Sequence, residues 1–189
     1  MAEAIRPNLA TLSRIELYHH PTVTSHPVDD FSFRLDKTDS HSGMRFVPGG
    51  LTAGETYTFS YKFQKVSGEL NKVGGHTGAF TPVKWSFDGV KQNTSYSTAI
   101  AVADDTNVHE VVFTGVYKEA SGDINLYFQP NRGNATPISV DIWDVKMELG
   151  DTATAWVPAE EDAPVEPSIP VNPPNPTAML MGYMVGQAI

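Results

Sequence analysis

From Thr56 onward, apolar and polar side chains alternate without a break: Tyr57, Phe59, Tyr61 and Phe63 fall on one side, and Thr58, Ser60, Lys62 and Gln64 on the other. A period of two is that of a β-strand. On a helix of 3.6 residues per turn the four aromatics would scatter around the axis. The stretch predicts a half-buried strand with an aromatic core face and a second face that is wet or meets a partner. Shorter alternations predict strands over 31–35 and over 124–128, where Ile124, Leu126 and Phe128 are in phase. Further strands are expected at 15–18, 44–47, 83–87 and 109–117, with residues 1–14 forming an arm ahead of the first.

The connections follow from turn chemistry. Proline removes a ladder donor and restricts its predecessor, so His19-His20-Pro21 and Ser25-His26-Pro27 punctuate a loop. Gly74-Gly75-His76-Thr77-Gly78 is a glycine-rich loop, Asp88-Gly89 a turn, and Ser121-Gly122-Asp123 the hairpin loop joining its two flanking strands. In the last strand Ile138, Val140 and Ile142 are in phase, but the apolar set then moves to Trp143, Val145 and Met147. Such a one-residue switch marks a β-bulge or burial on both faces. After a turn at Gly150-Asp151, Trp156 is placed to fold back as a plug. Eight or nine short strands and no amphipathic helix predict an all-β protein, an antiparallel β-sandwich over 1–157.

The pattern then breaks. Seven of the 14 prolines lie between Pro158 and Pro176, beside Glu160, Glu161, Asp162 and Glu166. This 158–176 stretch reads as an extended acidic linker, rising about 3.1 Å per residue. Residues 177–189 are apolar again and hold three of the six methionines. Met179, Leu180, Gly182, Tyr183, Met184, Val185, Gly186 and Ile189 form an expected docking or oligomerisation peptide, since exposed apolar surface marks contact sites. Packing back onto its own domain is the alternative.

Among 189 residues, 22 acidic against 13 basic side chains give a net charge of −9. Nucleic acid and anionic membrane surfaces are therefore unsuited partners, because both need clustered Lys and Arg. No apolar run reaches the roughly 20 residues of a bilayer span, and the first residues lack a signal-peptide pattern. Synthesis in a cytoplasm is expected. Without cysteine there is no disulfide, thiolate site or Cys nucleophile.

The closing stretch also carries a resemblance. Val145-Lys146-Met147-Glu148-Leu149-Gly150, followed by Thr152-Ala153-Thr154-Ala155-Trp156-Val157-Pro158-Ala159-Glu160-Glu161-Asp162, resembles a pattern "xVKLExG…TATxWxPAxED". That pattern ends jelly-roll domains in tail, baseplate and other minor structural proteins of bacteriophages. Met147 stands where Leu is usual, and Leu149 is an extra residue. Residues 51–61 are similar to the "GxxYTxS" strand of carbohydrate-binding-module-like domains. The resemblance implies a jelly-roll virion protein of the fibre, spike or decoration type that serves host adhesion and is not an enzyme. Its implied partners are other virion proteins, a host cell-surface glycan and sister chains, as a trimer. A plain glycan-binding module without an assembly role is the alternative.

No enzyme signature is present. The glycine-rich stretch lacks the Gly-Lys-Ser/Thr ending of a phosphate loop. There is no HExxH and no Gly-x-Ser-x-Gly. Asp29-Asp30 and Asp104-Asp105 read as turn residues. The remaining chemistry is aromatic and amide: Trp85, Tyr96 and Tyr127 can stack on sugar rings, with Asn125 and Gln129 to bond hydroxyls, although strand aromatics more often serve the core. The resemblance further implies a structural calcium held by Glu16, Asp141 and Asp144, oxygen ligands of the kind this ion takes. No other cofactor is expected.

Overall fold

Tyr57, Phe59, Tyr61 and Phe63 are all buried, as their alternation requires, and around them two sheets close. The structure, a computed structural model, describes residues 6–10, 15–18, 23–27, 31–37, 43–46, 50–95, 98–118, 124–130 and 137–160. Its strands are β1 (Ile15–Tyr18), β2 (Val23–Pro27), β3 (Phe33–Lys37), β4 (Gly43–Phe46), β5 (Thr56–Ser67), β6 (Leu70–Thr77), β7 (Phe80–Phe87), β8 (Val90–Gln92), β9 (Ile100–Ala101), β10 (Val108–Tyr117), β11 (Ile124–Pro130) and β12 (Ile138–Leu149). A seven-stranded sheet runs β2-β3-β12-β5-β10-β7-β8 and a five-stranded sheet β1-β4-β11-β6-β9. From β4 to β7, and again from β9 to β12, successive strands alternate between the sheets. This is an antiparallel jelly-roll sandwich.

The core is where the aromatic face of β5 meets the inward residues of β4, β6 and β11. Phe63 packs edge-on against Phe128 at 5.0 Å, and Phe59 stacks on Phe46 at 5.6 Å, each pair crossing between the sheets. Each such side chain contributes on the order of 1.5–3 kcal/mol through burial.

Three expectations about connections are corrected. β10 and β11 lie in different sheets, so these two strands do not pair as the expected hairpin; residues 121–123 themselves lie outside the described residues. Gly74 and Gly75 sit inside β6 rather than in a loop. A Cβ at Gly74 would stand 2.7 Å from the Ala99 Cα, so glycine serves close approach of backbone here, not turning. Residues 23–27 form β2, which is an edge strand and so tolerates Pro27.

The phase switch in β12 is a bulge. Trp143 faces Lys62 and Lys146 faces Ser60, so Asp144 and Val145 together oppose Tyr61. Asp144 takes a φ of +52°, a left-handed conformation that aspartate tolerates better than most residues. Beyond the bulge Met147 points into the core, while Lys146 and Glu148 lie on the outer face, each only 1% exposed.

What covers that outer face is the motif itself, folded back. Thr154 donates its N–H to Glu148 Oε1 at 2.7 Å and its hydroxyl to Oε2 at 2.6 Å. Lys146 Nζ donates to Thr154 Oγ1 at 2.6 Å and to the Ala155 carbonyl at 2.7 Å, and lies 3.4 Å from Glu148 Oε2. Trp156 Nε1 donates to the Val145 carbonyl at the bulge, 3.2 Å away, and its ring meets Phe31 edge-on. The N-terminal segment completes the cover. Asn8 donates to the Val145 and Val157 carbonyls and accepts from the Ala10 and Met147 N–H groups. Arg6 donates to the Leu149 and Thr152 carbonyls, and a Cβ at Gly150 (φ +113°) would fall 2.2 Å from Arg6 Nη1. Both ends of the described chain are thus locked to β12, up to the bridge between Asn8 and Ala159. The linker beyond Glu160 and the expected docking residues Met179, Leu180, Gly182, Tyr183, Met184, Val185, Gly186 and Ile189 lie outside the described residues.

Candidate functional site

Strand β11 sets the site. Ile124, Leu126 and Phe128 point into the core, so period two sends Asn125, Tyr127 and Gln129 to the outer face of the five-stranded sheet. Register then fixes their neighbours. Asn125 lies between Arg45 on β4 and His76 on β6, with Glu16 of β1 at the register position beyond Arg45. Tyr127 lies between Gly43 and Gly74, with Tyr18 of β1 beyond Gly43. Gln129 opposes Lys72.

Two physical features distinguish this face. Tyr127 has a glycine at the register position on each side, and the backbone at Ala99 stands close against Gly74. Asn125 is only 3% exposed, and its Oδ1 has no hydrogen-bond partner among the described residues. An unsatisfied buried amide oxygen costs on the order of 1–3 kcal/mol. It is the one such side-chain atom among the described residues. An aromatic ring, an amide acceptor, a guanidinium, an imidazole and a second amide along three neighbouring rows form a surface suited to stacking and hydroxyl recognition.

The expected site residues separate accordingly. Asn125, Tyr127 and Gln129 are brought together. Trp85 is not with them: it is 3% exposed in the core opposite Phe113, and its Nε1 donates to the Thr94 carbonyl at 2.7 Å. Its ring therefore offers no platform to a ligand; instead it ties down the segment after β8. Tyr96 lies outside the described residues. Arg45, Lys72 and His76 were not anticipated, because only the non-local register places them beside β11.

The proposed calcium ligands are likewise not gathered. Glu16 belongs to the five-stranded sheet, whereas Asp141 and Asp144 belong to the seven-stranded one. Asp141 accepts a two-point hydrogen bond from Arg34, at 2.6 and 2.8 Å, and Asp144 accepts from Lys62 Nζ at 2.8 Å. These contacts raise the pKa of Arg34 and of Lys62. Among the described residues no group of three or more His, Asp or Glu side chains is arranged to hold a metal ion.

A second polar cluster surrounds His109, which stacks on Phe87 and accepts or donates at both nitrogens, with Asp88 at 2.8 Å and Asp105 at 3.0 Å. Asp88 also accepts the Glu110 N–H. These bonds pin the β7–β8 turn and the loop before β10, a structural task.

No family model and no curated protein sequence matches the chain. Solved structures similar to it include the CBM22-1 xylan-binding domain from Paenibacillus barcinonensis, at 12% identity over 79% of this chain and 95% of that one, with a TM-score of 0.47. The N-terminal cellulose-binding domain of β-1,4-glucanase C from Cellulomonas fimi is 11% identical over 77% and 94%, with a TM-score of 0.44. The tripod from the baseplate of bacteriophage Tuc2009 is 13% identical over 84% of this chain and 60% of that one, with a TM-score of 0.39. None of these likenesses assigns a role to a residue of this chain.

Proposed function

We propose that this chain is a saccharide-binding jelly-roll module of a bacteriophage particle, acting by adhesion rather than catalysis. The observation that carries the binding reading is the outer row of β11: half-exposed Tyr127 and Gln129, and Asn125 in one row with Arg45 and His76, its buried amide oxygen without a hydrogen-bond partner among the described residues. A sugar ring would rest on the half-exposed Tyr127 with the Gln129 amide beside it, and Asn125 Oδ1, buried beneath, would gain a donor by being uncovered on binding. Support for the particle comes from the closing stretch 145–162, which resembles phage structural proteins and of which residues 145–157 form the folded-back lock. In this reading the acidic linker gives reach, and residues 177–189 dock into other virion proteins or sister chains.

The test of binding is a glycan microarray probed with the full chain and with Tyr127→Ala. Saccharide binding that the substitution abolishes sustains the reading; binding that it leaves intact moves the site elsewhere. The docking role is checked by light scattering on the full chain and on a chain ending at Glu160. An oligomer that becomes a monomer on truncation is the expected result, and identical monomers would remove the assembly role.

A further inference from the structure

Beside the row of Asn125 and His76 lies a cleft of about 470 Å³ at the flank of the sandwich, where β6 turns into β7. Its lining includes His76, Thr77, Lys84, Lys91, Asn93 and Thr94, and no carboxylate contributes to it. His76 belongs both to this cleft and to the row across β11, so the two are continuous. The wall formed by 93–95 is held in place from below by the hydrogen bond from Trp85 to the Thr94 carbonyl.

The charges here are unusual for this chain. The protein carries a net charge of −9, and four of its described cations pair with carboxylates: Arg34 with Asp141, Lys62 with Asp144, Lys65 with Asp104 and Lys146 with Glu148. Lys84 and Lys91 both face the same cleft, both are exposed, and neither has a side-chain partner among the described residues. Two uncompensated ammonium groups and an imidazole around one cavity, with amide and hydroxyl donors between them, form a receptor for an anion rather than for a neutral ring.

Building on the saccharide-binding reading, we propose that the ligand is an acidic glycan, its neutral portion lying along Tyr127 and Asn125 and its carboxylate or phosphate substituent seated between Lys84 and Lys91. Because the lysines are exposed, the contribution is screened by salt.

The test compares the full chain with the double substitution Lys84→Gln/Lys91→Gln, which keeps a flexible polar side chain with N–H donors but removes charge. Both are applied to an array holding neutral, uronate-bearing and phosphate-bearing glycans, with thermal melting to confirm that the variant remains folded. Expected is binding concentrated on acidic members, weakened about tenfold by the double substitution and by raised salt. Response to uronates or to phosphate-bearing members identifies which anion the cleft takes. Binding of neutral members only, or acidic binding that the folded variant retains in full, overturns this inference and leaves the saccharide reading standing. Binding of no member overturns both.

Discussion

Asn125 and the Lys146–Glu148 pair are buried to nearly the same degree, on the outer faces of opposite sheets, yet their bonding could hardly differ more. Around Glu148 both carboxylate oxygens are engaged, Thr154 both donates and accepts, and Lys146 has three oxygens within reach. At Asn125 a buried acceptor has no partner among the described residues. A buried ion pair contributes to stability only when its remaining hydrogen-bonding capacity is filled, and the fold-back of Thr154 and Ala155 does that. The same logic makes the open acceptor on β11 a cost to the fold, tolerable where it serves something other than folding. One region closes the domain; the other carries the proposed binding face.

The sharpest way to break this contrast is to remove one member of the closed network. Lys146→Ala leaves Glu148 buried without its counter-ion and is expected to destabilise the domain by about 3–5 kcal/mol, read from the urea midpoint. Asn8→Ala, which deletes the side-chain bonds tying the N-terminal segment to β12, should cost about 2 kcal/mol in the same measurement. Asn125→Leu tests the opposite region and has the opposite signature. Replacing an unsatisfied amide by an apolar side chain of similar shape is expected to change stability by less than about 1 kcal/mol while saccharide binding on an array is lost. A large loss of stability there would place Asn125 in the fold rather than the site.

The smallest effect concerns acid. Asp104 is held below the ordinary aspartate value of 3.8 chiefly by its hydrogen bond with Lys65 and by the Leu70 N–H, and Asp105 chiefly by the Asn107 N–H. A depressed folded value means stability that is present above pH 3.8 and lost as the pH falls below it. Both groups are partly exposed, so screening keeps the effect small. Amide exchange in 103–109 should quicken on going from pH 5 to pH 3 relative to the lock at 146–155, after correction for intrinsic rates.

How far the sequence reveals this division can be judged residue by residue. Period two alone places Asn125, Tyr127 and Gln129 on one face, and the phase change after Ile142 announces the bulge, because both signals are local. The fold-back of Trp156 is likewise legible from the turn at Gly150-Asp151. Signals that depend on the partner strand are not. Gly74 and Gly75 look like loop residues until Ala99 is seen against them. The strands on either side of 121–123 look like a hairpin pair because sequence spacing does not tell which sheet each strand joins. Trp85 looks like a platform because nothing in its neighbours tells an inward strand position from an outward one. Arg45 and His76 come to the site only through the pairings of β4 and β6 with β11.

The most direct test of the central claim is a nuclear magnetic resonance titration of the isotopically labelled full chain with the saccharide that gives the highest array response. The account predicts amide shifts confined to the strands around Arg45, to 72–77 and to 125–129, extending to 84 and 91–95 for an acidic ligand, with the lock at 146–157 silent. Shifts centred on the lock, or on the outer face of the seven-stranded sheet with 125–129 unmoved, would contradict it.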